Sequence, residues 1–300
     1  MVKQPLISKI QKYSTKDGPG IRTTVFFLGC NLKCLWCSNP ELMTEEVKVL
    51  HYVNKCQKCG YCVSKSEGSI IMKQQGIEID RAKCCNLEMI ALQCPYDAYE
   101  VVGRYYSSKE LVDLLLKDEV FYRKSGGGVT FSGGEAALYP KYILEVAKNL
   151  KEHNIHLALD TAGLVSYKSF EMILPYIDLF LFDIKAYDSD LHIKTTGVDN
   201  KLILDNIKKL SQTDKDIIVR LVLVPKLNDD IYDLKKRLDF IEELGIKHIE
   251  FLYYHKFGLG KYLGLDKKHQ LKNIELCSKE YKKEVERLVK NYSFNVTFSE

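Results

Sequence analysis

The 300-residue sequence predicts an α/β fold: an open, partial barrel of alternating strands and helices, with a small cysteine-rich insert near its start. Two observations support this prediction. From about residue 108, short β-branched and aromatic segments alternate with helical segments, which is typical of βαβ units around a parallel sheet. Before that point, nine of the ten cysteines lie between Cys30 and Cys94. We therefore divide the chain into a barrel start at 1–48, an insert at 49–102 and the rest of the barrel at 103–300.

Six segments have the composition and length of strands. They are residues 22–28, 129–131, 156–160, 179–183, 217–224 and 248–252. Helical periodicity is found at residues 140–152, 201–210 and 231–243, and Pro140 suits the first turn of its helix. A complete TIM barrel has eight strands, so six strands predict a partial (β/α)6 TIM-like barrel. Residues 294–299 add a candidate edge strand.

Composition and charge argue against several classes of protein. Lys and Arg total 44 and Asp and Glu total 40, and this balance gives no sign of the basic patch of a nucleic-acid-binding protein. No apolar run approaches the roughly 18 residues of a membrane helix, and the N-terminal segment lacks the apolar core of a secretory signal. We expect a cytoplasmic protein without nucleic-acid or membrane partners. In that reducing compartment, clustered cysteines are more often metal ligands than disulfides.

The first three cysteines, Cys30, Cys34 and Cys37, follow the first predicted strand with the spacing C-x3-C-x2-C. Three thiolates this close can hold three irons of a four-iron cubane cluster and leave the fourth iron without a protein ligand. An open coordination position is what chemistry requires, whereas a structural metal site is closed. The alternative is a zinc ion with a distant fourth ligand, although zinc sites more often use paired C-x2-C units.

Further motifs accompany these cysteines along nearly the whole chain. In order they are residues 17–22 (DGPGIR), Phe27, 36–41 (WCSNPE), 132–135 (SGGE), 160–163 (DTAG), 183–185 (DIK), His192, 196–197 (TG), Arg220, Pro225, 228–229 (ND), 254–255 (YH) and 260–262 (GKY). The series resembles the glycyl radical enzyme activating enzymes, which are radical S-adenosylmethionine (radical SAM) proteins of the pyruvate formate-lyase activating enzyme type.

The resemblance implies a mechanism and a set of partners. In that family the open iron of the [4Fe–4S] cluster takes the amino and carboxylate groups of S-adenosylmethionine (SAM). One-electron reduction then splits SAM into methionine and a 5′-deoxyadenosyl radical, which removes a hydrogen from a backbone glycine of a partner enzyme. The cofactors carry the chemistry, and the protein supplies position and excludes water. The implied partners are a glycyl radical enzyme and an electron donor such as flavodoxin or ferredoxin.

The resemblance also implies the residues that bind SAM, and several have a physical interpretation of their own. Two glycines allow a ligand to approach the backbone closely, and strand-end carboxylates lie at the rim that carries the active site of barrels. Lys185 and His255 are the predicted catalytic residues. The predicted SAM-binding residues are Trp36 and Ser38 near the adenine, Gly133, Gly134 and Glu135 at the methionine ammonium, Asp160, Thr161 and Asp183 (in some relatives through a monovalent cation), and Lys185, Arg220 and His255.

The insert begins like a bacterial ferredoxin, with Cys56-x2-Cys59-x2-Cys62. The fourth cysteine of that motif is replaced by Ser66. Counting back from Cys94-Pro95, the second half-motif should have cysteines at positions 84, 87 and 90, and the residues found are Cys84, Leu87 and Ile90. We therefore predict a ferredoxin-like insert that has lost three of its eight ligands.

Ligand counting then predicts one auxiliary cluster. In two-cluster ferredoxins the fourth cysteine of each half-motif ligates the cluster of the other half. One cluster would use Cys56, Cys59, Cys62 and Cys94, which are all present, and the other site would keep a single thiol. Two alternatives stay open: Cys84 or Cys85 could replace Cys94, or the block could bind zinc. The auxiliary [4Fe–4S] cluster could relay an electron or shape the insert.

Two other functions compete with activation of a glycyl radical enzyme. The first is a radical SAM enzyme that acts on a small molecule. The second is an iron–sulfur protein that only transfers electrons, which would need neither an open iron nor the SGGE motif at 132–135.

Overall fold

The computed structural model describes residues 4–74 and 76–299. The strands of this part of the chain are β1 Leu6–Ser14, β2 Arg22–Phe27, β3 Lys48–His51, β4 Ile70–Lys73, β5 Gly76–Ile79, β6 Tyr99–Val102, β7 Arg104–Tyr105, β8 Gly128–Gly133, β9 His156–Thr161, β10 Leu179–Asp183, β11 Asp216–Leu223, β12 His248–Tyr253 and β13 Asn295–Ser299. The α-helices are α1 Tyr61–Lys65, α2 Leu87–Leu92, α3 Ser108–Leu115, α4 Glu119–Ser125, α5 Pro140–Glu152, α6 Tyr167–Ile173, α7 Ser189–Thr196, α8 Lys201–Leu210, α9 Ile231–Glu243, α10 Leu259–Gly264 and α11 Lys279–Val289.

One mixed sheet forms the centre of the molecule, with the strand order β13-β12-β11-β10-β9-β8-β2-β1-β7. Every neighbouring pair from β2 to β13 is parallel. Strand β1 is antiparallel to both of its neighbours, β2 and β7. The predicted α/β fold with a parallel sheet is therefore confirmed, and the candidate edge strand at 294–299 is present as β13.

The sequence analysis located six strands of this sheet and missed its antiparallel edge. Each of the six ends within two residues of its predicted limits, and the three predicted helices have their predicted limits. The sequence analysis did not predict β1, because the register of this strand shifts between Ile7 and Lys9 and again between Gln11 and Ser14. Such irregularities interrupt the period-two alternation that identifies a strand. Strand β7 has only two residues and carries no pattern.

Apolar helix faces hold the helices against the sheet. In α5 the buried residues recur every three or four positions, as Ile143, Val146 and Leu150 do. They join one large apolar cluster with Phe131 of β8 and Phe180 of β10. Full burial of each such side chain contributes about 1.5–3 kcal/mol, so this cluster keeps the strand ends in place. Within the described ranges, no helix combines the length and the apolar character that crossing a bilayer requires.

The segment between β2 and β7 contains two small sheets and two short helices. Strand β3 pairs antiparallel with β6, so the two ends of the cysteine-rich segment meet. Between them, β4 and β5 form an antiparallel hairpin, and α1 and α2 have five and six residues. The element order is thus β3-α1-β4-β5-α2-β6.

A buried ion pair connects helix α9 to the loops that follow β10 and β11. Asp233 and Arg237 lie 2.9 Å apart, with side chains 7% and 0% exposed. Asp233 also accepts hydrogen bonds from the backbone N–H groups of Tyr187 and Asp188 at 3.1 and 2.8 Å. Arg237 donates to the carbonyl of Asn228 at 2.7 Å. One pair therefore fixes two loops at the carboxyl edge of the sheet.

We expect Asp233→Ala to lower the free energy of unfolding by about 3–5 kcal/mol, because it leaves the buried guanidinium of Arg237 without its counter-charge. The matched control lies on the same helix, where Lys235 is 3.8 Å from Asp239 and both side chains are exposed. Lys235→Ala should cost less than about 1 kcal/mol. Urea unfolding followed by circular dichroism under anaerobic conditions measures the free energy of unfolding of both variants. Equal decreases in the two variants would contradict the structural role of the Asp233–Arg237 pair.

Candidate active site

A cavity of about 420 Å³ opens at the carboxyl ends of the parallel strands. This volume lies in the range of pockets that bind small molecules. The predicted site residues that line it are Cys30, Cys34, Trp36, Cys37, Ser38, Gly133, Gly134, Asp160, Thr161, Asp183, Lys185, Arg220 and His255. Glu135 belongs to the same prediction and lies outside the lining. The fold thus gathers residues from nearly the whole chain around one cavity.

The cysteine loop, residues 29–39, carries the first three cysteines and has little regular structure of its own. Neighbouring backbone therefore holds it. The N–H groups of Lys33 and Leu35 donate to the carbonyls of Thr196 and Thr195 at the end of α7, at 2.7 and 3.0 Å. The TG motif predicted at 196–197 thus supports the cysteine loop through its backbone.

Two glycines let β8 and the cysteine loop approach each other closely. Gly133 has φ +121°, and a Cβ atom there would lie 2.3 Å from the backbone nitrogen of Phe27. A Cβ atom on Gly134 would lie 2.2 Å from the carbonyl oxygen of Gly29. The N–H of Gly134 donates to the carbonyl of Phe27 at 2.8 Å. Backbone packing alone thus requires both glycines, and their contact with an ammonium group stays a prediction.

The three thiols of the loop are partly buried, and their chemistry fits an iron–sulfur cluster. Burial raises the pKa of Cys30 and of Cys34 to about 12, and it also raises the pKa of Cys37. Ligands must be thiolates, so iron has to displace these protons. Among the described residues, no three Cys, His, Asp or Glu side chains are grouped around a single-ion site. Three thiols spread around one cavity suit a larger, four-iron body better than a zinc ion.

Strand-end carboxylates and cations are paired inside the cavity. Asp183 lies 2.6 Å from Nζ of Lys185, and Oδ1 of Asp160 lies 3.1 Å from Nη1 of Arg220. Glu250, which the sequence analysis did not select, lies 3.4 Å from Nε of Arg220. The sheet register aligns Asp183, Arg220 and Glu250 side by side on β10, β11 and β12. An acidic residue inside an otherwise apolar strand was the signal that could have identified Glu250.

The electrostatics of the cavity favour a cationic ligand. Its lining contains four carboxylates and three basic groups, namely Asp17, Asp160, Asp183 and Glu250 against Lys16, Lys185 and Arg220. Burial by itself would lower the pKa of Arg220 and of Lys185, but the neighbouring carboxylates outweigh it and raise both. Burial raises the pKa of Asp160, and Arg220 opposes that shift. Oδ1 of Asp183 is buried and makes no hydrogen bond to any described residue.

Glu135 lies beneath the lining and holds the end of β9. Its carboxylate accepts hydrogen bonds from the Thr161 hydroxyl at 2.8 Å and from the Ala162 N–H at 2.9 Å. The Ala137 N–H donates to the same carboxylate at 3.1 Å. Complete burial raises the pKa of Glu135 to about 7, although these three hydrogen bonds act in the opposite direction. Its carboxylate is thus engaged by protein donors.

Aromatic residues surround the remaining side of the cavity. The Trp36 ring is buried against Val224 and Tyr254, so only part of it lines the cavity. The rings of His255 and Phe257 stack with centroids 4.5 Å apart. Burial lowers the pKa of His255, which keeps its imidazole neutral at pH 7. Phe257 was not selected from the sequence, although it lines the cavity.

A second, small pocket lies in the insert and is lined by Cys56, Cys59, Cys62 and Cys94. These are the four cysteines of the predicted auxiliary site. Cys59 is exposed, so the pocket reaches the surface on that side. Neither Cys84 nor Cys85 belongs to its lining.

Apolar packing occupies the place of the other half-motif. Cys84 and Ile90 are buried around Ile70, and Leu87 packs against them. The Ser66 hydroxyl accepts a hydrogen bond from the Ile70 N–H at 3.0 Å and donates to the Val63 carbonyl at 3.0 Å. Cys85 is exposed. The side chains at positions 66, 87 and 90 therefore serve the fold of the insert.

Comparison with known proteins identifies the family. The family model of the radical SAM superfamily matches residues 24–241. The trans-4-hydroxy-L-proline dehydratase activating enzyme of Clostridioides difficile is 40% identical over 295 residues, which cover 97% of this chain and 98% of that protein. The choline trimethylamine-lyase activating enzyme of Oleidesulfovibrio alaskensis is 34% identical and covers 98% of both chains. The chain belongs to the glycyl radical enzyme activating enzymes of the radical SAM superfamily.

A solved structure agrees with this membership. A domain of pyruvate-formate lyase-activating enzyme from Bacteroides vulgatus aligns with a TM-score of 0.50 at 27% identity, covering 58% of this chain and all of that one. Membership in the radical SAM superfamily implies a [4Fe–4S] cluster and SAM as cofactors. The resemblance found in the sequence motifs is therefore confirmed.

In this radical SAM activating enzyme, we expect Gly134→Ala to reduce the rate of SAM cleavage about tenfold or more. The added Cβ displaces the carbonyl of Gly29, and misplacing reactive groups by about 1 Å is costly. Gly260→Ala is the control, because among the described residues no atom outside its chain neighbours and its own helix backbone lies within 4 Å of a Cβ there. The rate of 5′-deoxyadenosine formation is measured for both variants at equal iron content. Equal rates would contradict the requirement for glycine at position 134.

Proposed function

We propose that this chain holds its [4Fe–4S] cluster on Cys30, Cys34 and Cys37 and produces the glycyl radical of a partner enzyme. One observation carries the proposal: three partly buried thiols share a cavity of about 420 Å³ with paired strand-end charges. When bound, the reduced cluster supplies the electron that splits SAM into methionine and a 5′-deoxyadenosyl radical. The protein groups bind SAM, orient it and exclude water.

We assign Lys185 and Arg220 to the carboxylate and ribose oxygens of SAM. Both cations are held by carboxylates at 2.6 and 3.1 Å, so their positions are fixed before a ligand enters. The guanidinium of Arg220 offers two parallel donors, which suits a planar carboxylate. The neutral imidazole of His255 can accept a hydrogen bond from the ligand. Lys185 and His255 are thus the side chains to which we assign direct roles at the reacting end.

The cationic parts of SAM would face the carboxylates. The free Oδ1 of Asp183 is an acceptor for the ammonium or a ribose hydroxyl. Backbone carbonyls near Gly133 and Gly134 lie at the same rim. The excess of carboxylates over basic groups also supports a monovalent cation beside Asp160 and Thr161.

The adenine end is assigned to Trp36 and Ser38. Both line the cavity directly beside Cys37. An aromatic edge and a hydroxyl are suitable for a base that stacks and accepts hydrogen bonds. With this assignment, the cysteine loop contributes both the cluster ligands and the adenine contacts.

The partner is a glycyl radical enzyme, and the electron donor is a low-potential protein such as flavodoxin or ferredoxin. The relatives carry the names of activating enzymes for a dehydratase and a lyase, and this chain is similar to them over nearly its full length. The protein substrate therefore supplies the glycine, as the family membership requires.

We further infer that the parallel strands curve into a partial (β/α)6 TIM-like barrel, interrupted at 49–102 by a ferredoxin-like insert. Two observations support the barrel: strands β8 to β13 are neighbours in chain order, and Arg220 of β11 reaches Asp160 of β9 across β10. The order β3-α1-β4-β5-α2-β6 supports the insert. Pairing of β3 with β6 supports its limits, with the barrel in 1–48 and 103–300.

The insert is proposed to hold one auxiliary [4Fe–4S] cluster on Cys56, Cys59, Cys62 and Cys94. The four thiols line one pocket, which supports the crossed ligand set over its alternatives with Cys84 or Cys85. Apolar packing around Ile70 supports the loss of a second auxiliary site. A cluster there could relay an electron or shape the insert.

The proposed reaction is tested without a partner first. Protein reconstituted anaerobically with iron and sulfide and reduced with dithionite should convert SAM to methionine and 5′-deoxyadenosine. Cys30→Ala, Cys34→Ala and Cys37→Ala should each abolish the conversion, because each removes a cluster ligand. Chromatography of the products measures it. Turnover retained by any one variant would show that the catalytic cluster is held elsewhere.

The same test with a partner separates the proposal from a small-molecule radical enzyme. A candidate glycyl radical enzyme is mixed with the reduced protein and SAM, and electron paramagnetic resonance should show a carbon-centred doublet from a backbone glycine. A radical on a small molecule, with none on the partner, would favour the alternative.

The auxiliary site is tested by iron counting. We expect about eight irons per chain, since two cubanes are predicted, and Cys94→Ala should lower the number to about four. Cys85→Ala is the control and should leave it unchanged, because Cys85 lies outside the pocket. Iron and sulfide analysis with Mössbauer spectroscopy gives the result. A loss in Cys85→Ala but not in Cys94→Ala would reverse the ligand assignment, and about twelve irons would indicate a second auxiliary cluster.

A further inference from the structure

Tyr99 forms part of the wall of the pocket that contains Cys56, Cys59, Cys62 and Cys94. Its side chain is 9% exposed and packs in the apolar cluster that includes three of these cysteines. The other side of the ring is covered by His51, which pairs with Tyr99 in the β3–β6 register. The two ring centroids lie 4.9 Å apart. Strand pairing and packing thus hold the Tyr99 ring in one orientation.

The Tyr99 hydroxyl is buried and faces sulfur. It lies against the thiol of Cys62, with Cys56 and Cys94 nearby. Within residues 4–74 and 76–299 the Cys62 thiol is its one candidate partner, and that contact does not have the geometry of a full hydrogen bond. A buried hydroxyl left without a partner is unfavourable, so buried hydroxyls almost always have one. The position therefore indicates an acceptor that belongs to the occupied pocket.

The other tyrosines of the pocket do not share this property. The Tyr61 hydroxyl donates to Oε1 of Gln93 at 2.5 Å. Tyr96 is exposed, so water can satisfy its hydroxyl. Among the three tyrosines that line the pocket, Tyr99 combines a buried hydroxyl with contact to a cysteine thiol.

We propose that the Tyr99 hydroxyl donates a hydrogen bond to a sulfur of the auxiliary [4Fe–4S] cluster and thereby raises its reduction potential. Reduction adds one electron from the external donor and makes the sulfurs more negative, and a fixed donor stabilises the reduced cluster more than the oxidised one. No bond breaks and no proton is transferred in this step. The inference rests on the auxiliary cluster of the proposed function and adds a residue that tunes it.

The test compares Tyr99→Phe with Tyr61→Phe in the full chain, both reconstituted anaerobically with iron and sulfide. Tyr99→Phe removes only the hydroxyl, so iron content should stay at about eight per chain. The equilibrium constant for reduction of its auxiliary cluster should fall several-fold. A tenfold fall corresponds to a reduction potential that is 59 mV lower, for one electron. Tyr61→Phe should not change the potential. Redox titration with dithionite, followed by electron paramagnetic resonance, measures both variants.

A second measurement detects the hydrogen bond directly. Electron–nuclear double resonance of the reduced auxiliary cluster, recorded in H₂O and in D₂O, should show a strongly coupled exchangeable proton. The coupling should be absent in Tyr99→Phe and present in Tyr61→Phe. Recording the spectra also with Cys30, Cys34 and Cys37 all changed to Ala removes the signal of the SAM cluster.

The outcomes separate this inference from the auxiliary cluster itself. An intact cluster whose potential and proton coupling do not respond to Tyr99→Phe overturns the inference and leaves the cluster in place. Wild-type protein with only about four irons overturns both. If Tyr99→Phe loses the cluster, the double-resonance spectrum of the wild-type protein provides the test. A wild-type spectrum without an exchangeable proton near the auxiliary cluster overturns the inference.

Discussion

The close backbone contact between β2, the cysteine loop and β8 is the constraint on which the site depends. Gly133 and Gly134 lie so near Phe27 and Gly29 that neither position has room for a Cβ atom. The contact joins the strand that delivers Cys30 to the strand whose end forms the opposite cavity wall. Because the loop has little regular structure, its thiols have defined positions only while this contact and the bonds to α7 persist.

Burial of charge gives the cavity its second property. Taking Asp160, Asp183, Lys185 and Arg220 out of water is unfavourable, and close pairing offsets that cost. The pairing is incomplete, because carboxylates exceed basic groups and one oxygen of Asp183 has no partner among the described residues. The site is therefore preorganised for a ligand that carries positive charge, and SAM is such a ligand.

The cysteine-rich segment between β2 and β7 is built differently from the central sheet. It is small and has a limited core, so a cluster bound to its cysteines would contribute to its stability as well as to its chemistry. Four thiols line one pocket, whereas the other half-motif has become an apolar cluster around Ile70 with a hydrogen-bonded Ser66. Apolar packing thus fills the region around Ile70, and the pocket wall includes the buried hydroxyl of Tyr99.

The sequence by itself determined the parallel sheet, the six strands, the thiols at Cys30, Cys34 and Cys37 and the family, because alternation and ligand spacing are local properties. It did not reveal β1, whose bulges hide its periodicity, or Glu250, which resembles any strand residue until Arg220 lies beside it. It also did not reveal that the Glu135 carboxylate accepts hydrogen bonds from Thr161 and Ala162, and the ligand contact of Glu135 stays a prediction. Only the tertiary structure decided these points, because pairing across strands and burial depend on residues distant in sequence.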